Sequence, residues 1–385
     1  MARRQLLKTI NRAAILNVIR SHGAIARTDI AELTGLSPAA VTGLTAELIE
    51  DGLVVAKQEG ASRGGRRPIL LALNTQGACV VGIKLAEEHA TLALTDLNAE
   101  IITKRTVLLA DRTPQAVSRL LAEGVRELLD AADVRRNRLL GVGVGLAGII
   151  DSQAGLCRIS PHNGWREVPF AKLLEEELDC IVHLDNNVNT LTRVEQLYGL
   201  GRQVRDFLVV TIGRGVGMGI VANGQVYRGT RGGGGEFGHM VVDPAGFVCG
   251  CGNRGCLETF VAEPWLLHRA RLRGLDVATP EALVAAAQAG DSIARDVLAE
   301  GGRVLGCAIA SAVNLLNPAL ILISGEGLRA GDFLLAPMRE AAQEHMFGPL
   351  AEDVVIRVES LSDDTWARGA ASLVLGRIFS MPELA

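Results

Sequence analysis

The chain has 385 residues, 48% of them hydrophobic and 3% aromatic, which is enough for two or three domains with real cores. No apolar run reaches the length of a membrane span and Met1 to Lys8 lacks the apolar region of a secretory leader, so membrane and secreted classes are set aside in favour of a soluble, cytoplasmic protein. The net charge of -4 hides a split, because residues 1–75 carry ten Lys/Arg against six Asp/Glu while the remainder carries 29 against 37; a short basic end on an acidic body suggests a nucleic-acid partner.

In chain order, Ala14, Ile15, Val18 and Ile19 recur at helical spacing over residues 11–21, and His22-Gly23 ends the run. A second short helix fits residues 28–33, with Ile30 and Leu33 three apart, before the turn Thr34-Gly35-Leu36. Ser37 suits the N-cap and Pro38 the first position of a third helix, whose stripe of Val41, Leu44 and Leu48 predicts a buried face. That leaves Ser37, Ala39, Ala40, Thr42 and Thr45 to approach base edges in a major groove. Residues 52–55 and 69–73 read as the two strands of a wing, and Arg63, Arg66 and Arg67 at its tip suit phosphate or minor-groove contacts. Three short helices and a basic loop also suit a dimerisation domain; the capped third helix and basic wing in this order favour a winged helix-turn-helix over residues 1–73.

After Leu73 strands and helices alternate. Cys79–Leu85, residues 90–95 and residues 100–105 read as consecutive strands, Pro114–Ala131 as a helix, and residues 139–150 as one buried strand ending in a glycine-rich turn. Phe207–Ile212, residues 218–222 and residues 225–227 repeat the strand–turn–strand opening, which predicts two α/β lobes of related topology with a cleft between them. A long helix over 293–316, strands over 320–325 and 354–358, and a closing helix over 367–379 complete the second half. Gly213-Arg214-Gly215-Val216-Gly217 either cradles a phosphate or is a tight hairpin, and Gly325-Glu326-Gly327 either borders a nucleotide or ends a strand. Of the seven cysteines, Cys79, Cys157, Cys180 and Cys307 stand singly in apolar contexts, as reduced core residues do.

The other three follow one histidine closely. His239, Cys249, Cys251 and Cys256 form a Cys3His set interleaved with glycines, which predicts one structural zinc per chain. Its role would be to fix a loop that presents Glu236 and Glu258 to a cleft. Taken singly, Glu236 could be a solvated loop carboxylate and Glu258 a residue that complements the dipole of the next helix.

Together these residues resemble the ROK family of repressors and sugar kinases. The stretch from Gly235 to Glu258 is similar to the family signature, and the winged-helix segment ahead of it resembles the family's xylose-, N-acetylglucosamine- and glucose-responsive repressors. The resemblance covers nearly the whole chain. It implies two actin-like (ribonuclease H-like) ATPase-fold lobes, residues 74–190 completed by 366–385 and residues 191–365 carrying the zinc loop 236–258, with a sugar in the interlobe cleft.

By the same resemblance, Asn163, Asn186, Asn187, Glu236, His239 and Glu258 contact the sugar. Asp185-Asn186-Asn187-Val188-Asn189 departs from the family's Glu-Asn-Asp-x-Asn pattern at Asn187, where the kinases carry an aspartate; a carboxamide can hydrogen-bond a hydroxyl but cannot serve as a general base. A second departure agrees with it: the hairpin Lys84-Leu85-Ala86-Glu87-Glu88-His89 replaces a glycine-rich phosphate loop with bulk and negative charge. The expectation is therefore a sugar-responsive repressor with no catalytic residues, acting as a homodimer or homotetramer on a pseudo-palindromic double-stranded operator, with no membrane partner. The competing readings are a sugar kinase with an appended DNA-binding domain and a repressor governed by a partner protein. Trp165 would stack on the sugar or lie in a lobe core.

Overall fold

A computed structural model describes residues 2–57, 68–360 and 362–379. Met1–Val194 with Asp363–Ala385 form one compact unit, and Glu195–Ser362 a second.

The first unit begins with α1 (Ala2–His22), β1 (Ile25–Ala26), α2 (Arg27–Thr34), α3 (Pro38–Glu50), β2 (Val54–Lys57) and β3 (Leu70–Leu73). α1 starts earlier than its apolar spacing indicates. Gly35 closes α2 at φ 68, a left-handed conformation that only glycine adopts at little cost, and Ser37 accepts a hydrogen bond from the Ala40 amide (3.3 Å) to open α3. Ile15, Ile19, Ile30, Val41, Leu48 and Leu71 are buried, whereas Leu33 is 53% exposed and not part of that core. β3 pairs antiparallel with both β1 and β2, giving a three-stranded wing sheet.

Next come β4 (Cys79–Leu85), β5 (His89–Thr95), β6 (Ile101–Leu108), α4 (Pro114–Ala131), β7 (Leu139–Leu146), β8 (Ile149–Asp151), β9 (Leu156–Ser160), β10 (Trp165–Val168), α5 (Phe170–Leu178), β11 (Val182–Asn186) and α6 (Asn187–Tyr198). The stretch expected as one strand over 139–150 is two, broken at Gly148, where φ is 129 and a side-chain carbon would collide with the Ile159 carbonyl. β4, β5, β6, β7 and β11 form one sheet in the order β11-β7-β4-β5-β6, while β8 pairs in a separate sheet with β9 and β10.

The second unit is built on β12 (Phe207–Ile212), β13 (Val216–Ala222), β14 (Gln225–Val226), α7 (Glu258–Val261), α8 (Glu263–Leu272), α9 (Pro280–Gln288), α10 (Ser292–Leu316), β15 (Leu320–Ser324), α11 (Asp332–His345), α12 (Leu350–Asp353) and β16 (Val355–Val358). Its sheet, β14-β13-β12-β15-β16, repeats the first: a central strand, an antiparallel hairpin to one side and two parallel strands to the other. A core of β12, β15, α10 and α11 residues, with Leu257, Phe260 and Val261 from around α7, carries the loop 227–257.

The chain returns to the first unit as α13 (Asp363–Phe379), which lies on β4 and β7. Gly82 and Gly143 make that approach possible, because a side-chain carbon at either would enter the α13 backbone. α13 also packs against α1, where the Arg20 guanidinium lies 5.6 Å from the centre of the Phe379 ring.

Candidate functional site

His239, Cys249, Cys251 and Cys256 converge although sixteen residues of chain lie between the first and the last. Each offers one donor atom, and the four lie within 4.8 Å of one another. The closing contacts are backbone: Cys249 N–H donates to the Asn253 carbonyl (2.7 Å), Gly255 N–H to Phe247 (2.8 Å) and Leu257 N–H to Met240 (2.8 Å). Gly255, at φ 66, passes so close to Asp243 that any side chain would collide. Cys249 Sγ is 3.6 Å from His239 Nδ1, and Cys251 Sγ is 3.6 Å from Cys256 Sγ. Thiolates about 2.3 Å from a tetrahedral centre stand about 3.8 Å apart, so these separations fit a metal ion. Burial pushes the Cys256 thiol up to about 12, so a thiolate there calls for a cation beside it.

The same loop places the two glutamates. With Nδ1 turned to the thiols, His239 Nε2 faces Glu236 Oε2 at 3.8 Å. Glu236 keeps 39% of its side chain exposed, yet the protein around it raises its carboxyl above the usual range; His239 opposes that rise and the Glu258 charge adds to it. Glu258 opens α7, and its Oε1 lies 3.8 Å from Cys249 Sγ while its Oε2 accepts from the Val216 amide (3.4 Å). Gly213 to Gly217 is a tight turn: the Gly213 amide donates to Gly215 (3.0 Å), and the Glu326 carboxylate fills the space beside Gly213. The Gly213 and Val216 amides are thus engaged, and the turn is flanked by the Glu258 and Glu326 carboxylates, a poor setting for a phosphate.

In the first unit, Asn186 and Asn187 stand at the junction of β11 and α6. Asn186 is held by backbone on both sides, Nδ2 donating to Gly148 (2.8 Å) and Oδ1 accepting from Val188 (2.8 Å). Buried Asp185 braces the turn by accepting from the Asn186 amide (2.8 Å) and from Asn189 Nδ2 (2.9 Å). Asn187 is half-buried and is the first residue of α6, and its carbonyl accepts from Thr190 (2.6 Å). Asn163 lies in the turn between β9 and β10 and is buried. Trp165 beside it is a core residue, 4% exposed, 4.6 Å from Phe170 and bonded through Nε1 to the Arg112 carbonyl (2.8 Å).

On α3, Ala39 and Thr42 are exposed and Ala40 is half-buried. Ser37 uses its hydroxyl as the helix cap and Thr42 returns its own to the Pro38 carbonyl (2.8 Å). Thr45 corrects the sequence reading: it is fully buried and accepts from Arg27 Nε (2.9 Å), so it belongs to the inner stripe with Val41 and Leu48 in place of half-buried Leu44. Threonine at a helix position reads as surface in sequence, and Arg27, the partner that allows its burial, lies on another helix. Arg63, Arg66 and Arg67 fall outside the described residues. Among the described residues no helix is long and apolar enough to cross a membrane.

Comparison with known proteins covers almost all of this. The ROK family profile matches residues 80–377, and a winged helix-turn-helix DNA-binding profile matches residues 9–55. The chain is 30% identical, over 100% of both sequences, to the xylose repressor of Caldicellulosiruptor bescii. It is 33% identical to the DNA-binding transcriptional dual regulator NagC of Escherichia coli, over 96% of this chain and 93% of that one. The crystal structure of a ROK family transcriptional regulator, a homologue of the E. coli Mlc protein, superposes with a TM-score of 0.88 over 97% of each chain at 27% identity.

Proposed function

The chain belongs to the ROK family, and from that premise we propose that it is a sugar-responsive DNA-binding repressor that binds its sugar without transforming it. One observation carries the reading: the helix that opens with Asn187 and the first helix of the winged helix-turn-helix share a partner. α6 meets α13 where Gly369 lies against the Thr190 carbonyl and Gly376 against Arg193, and the far end of α13 holds α1 through Phe379 and Arg20. Movement of the Asn186-Asn187 turn is thereby transmitted by two packed helices to the DNA-binding segment, since close-packed helices shift as bodies and not by local yielding.

In this reading Asn163, Asn186, Asn187, Glu236, His239 and Glu258 supply the partners for the sugar hydroxyls. The ion is zinc, held by His239, Cys249, Cys251 and Cys256, and its contribution is positional: it fixes the ring of His239 and the start of α7. Ala39, Ala40 and Thr42 face the major groove, and Arg63, Arg66 and Arg67 reach phosphates. Two copies would occupy a pseudo-palindromic operator, and sugar shifts operator affinity only to the extent that it binds one arrangement of the copies better than the other.

Asn187 cannot take a proton from a hydroxyl, Glu87 and Glu88 stand in the first hairpin, and Glu258 and Glu326 flank the second. The amide at 187 and the acids at 87, 88 and 326 weigh against a kinase. The test is calorimetry of the full chain against D-xylose, D-glucose and N-acetyl-D-glucosamine, paired with selection of bound duplexes from a random pool and titration of the selected duplex with and without sugar. One sugar should bind and change duplex affinity about tenfold or more. ATP-dependent phosphorylation of that sugar, or sugar binding with duplex affinity unchanged, would sink the reading.

A further inference from the structure

We propose that Arg27 binds a phosphate of the operator backbone, and that buried Thr45 serves DNA binding indirectly, as the seat that holds Arg27 against the recognition helix. The assignment rests on the DNA-binding reading above and adds a contact to it. Arg27 opens α2 and is half-buried, and its Nε donates to Thr45 Oγ1 of α3 at 2.9 Å. The direction of that bond is fixed from both sides. A guanidinium has donors only, and the Thr45 hydroxyl already gives its own hydrogen to the Thr42 carbonyl (3.2 Å), so Thr45 Oγ1 can only accept from Arg27.

Burial of Thr45 does not by itself call for a cation, since a neutral amide would complete its hydrogen bonding equally well. Among the described residues the Arg27 guanidinium uses one donor, Nε, and meets no carboxylate, so both terminal nitrogens of its planar fork are left for a ligand. Other cations of the segment are committed: Lys8 and Arg12 pair with Glu47 and Asp51 of α3, and Arg20 bonds to Asn17. A half-buried charge with a free fork suits a doubly accepting anion, and the fold selects which one. Thr45 borders the outer face of α3, because Thr42 one turn before it and Ala46 beside it are exposed. In a helix-turn-helix the recognition helix enters the major groove while the helix ahead of it crosses the backbone, so a cation pinned between the two meets phosphate. Such a contact carries no base preference; held to Thr45, it sets the register of α3 on the duplex.

The experiment uses the full chain and the duplex it selects from a random pool, titrated between about 50 and 200 mM salt. In Arg27→Gln the amide nitrogen stands where Nε does and can still serve Thr45, while the charge and the fork are gone. The slope of log affinity against log salt should become shallower by about 0.9 for each bound protomer, with binding at low salt weakened about tenfold or more and the preference among single-base variants of the duplex unchanged. Arg27→Lys returns the charge and should recover the slope. Neutralising the backbone phosphates one at a time with methylphosphonate locates the partner: at one phosphate per protomer wild type should lose about tenfold and Arg27→Gln about twofold or less, while losses elsewhere add. Thr45→Val keeps the shape of the seat without its acceptor and should blunt the penalty at that same phosphate. A merely structural Arg27 would lower affinity with the salt slope intact and the losses additive at every phosphate, and either result in Arg27→Gln overturns the assignment. Should Arg27→Gln fail to fold, Thr45→Val decides by the same phosphate series, additive losses throughout again overturning it. A full chain that binds no duplex overturns the DNA-binding reading itself, which is distinguishable from these results.

Discussion

The two five-stranded sheets have one strand order and differ in what covers and leaves them. In the first, the central β4 and its parallel neighbour β7 carry Gly82 and Gly143, and α13 descends until its backbone touches theirs. In the second, β12 and β15 read Phe-Leu-Val-Val-Thr-Ile and Leu-Ile-Leu-Ile-Ser, every residue buried and none a glycine. The departing segments differ as well. β6 is a strand of eight residues, whereas its counterpart β14 is two residues long and hands the chain to the loop that gathers His239 and three cysteines. The duplicated frame thus specifies little by itself. One copy is adapted to grip a helix that reaches the DNA-binding segment, and the other to hold a loop that gathers one histidine and three cysteines.

The sharpest way to break the comparison is to take away what only the second unit needs. Chelation, or Cys256→Ser, should release about one zinc per chain and lower the melting temperature of the second unit by well over 10 °C, since structural zinc commonly contributes several kcal/mol. The first unit, with no ligand in the group, should unfold as in wild type. The check is metal analysis by mass spectrometry together with calorimetric melting of the full chain. A metal-free preparation with both transitions in place would remove zinc from the account.

The next effect probes the first unit in the same way. Gly143→Val puts three carbons where the Ala370 carbonyl already lies, and should cost about 3 kcal/mol or more, with α13 displaced. Because α13 carries α1, duplex binding should weaken in the folded fraction while zinc content stays at wild type. Urea melting and duplex titration of the same sample separate the two results. A stable variant that binds duplex normally would mean that α13 does not transmit position to α1.

Much of this was legible in sequence, for identifiable reasons. Buried strands are continuous apolar runs, so β4, β12 and the helix α4 fall at the expected residues. The histidine and three cysteines that could hold a metal ion share a short stretch of chain, and spacing alone brings them into view. What stayed hidden depends on partners distant in sequence. Thr45 is interior because Arg27 reaches it, Gly148 divides an apparent single strand because Ile159 lies against it, and Asn186 is engaged by that same glycine's carbonyl. The acids flanking Gly213 to Gly217 come from positions 258 and 326, beyond the reach of any local pattern.

The smallest effect concerns the edge strand and is again confined to one copy. β11 carries His183, half-buried, whereas its counterpart β16 has no histidine. Burial lowers the imidazole to about 4 from its ordinary 6.5, and the Arg377 guanidinium of α13 pushes in the same direction. Between those two values the unfolded chain binds the proton that the folded chain excludes, so stability is full above 6.5 and declines as pH falls toward 4. The loss is on the order of 1 kcal/mol between pH 7 and 5 once exposure of the ring is allowed for. His183→Gln cannot take up that proton, and its urea midpoint should therefore fall less than that of wild type over the same interval, with carboxylate titrations common to both chains. Equal slopes for the two proteins would place a neutralising group beside the ring and refute a buried neutral histidine between sheet and helix.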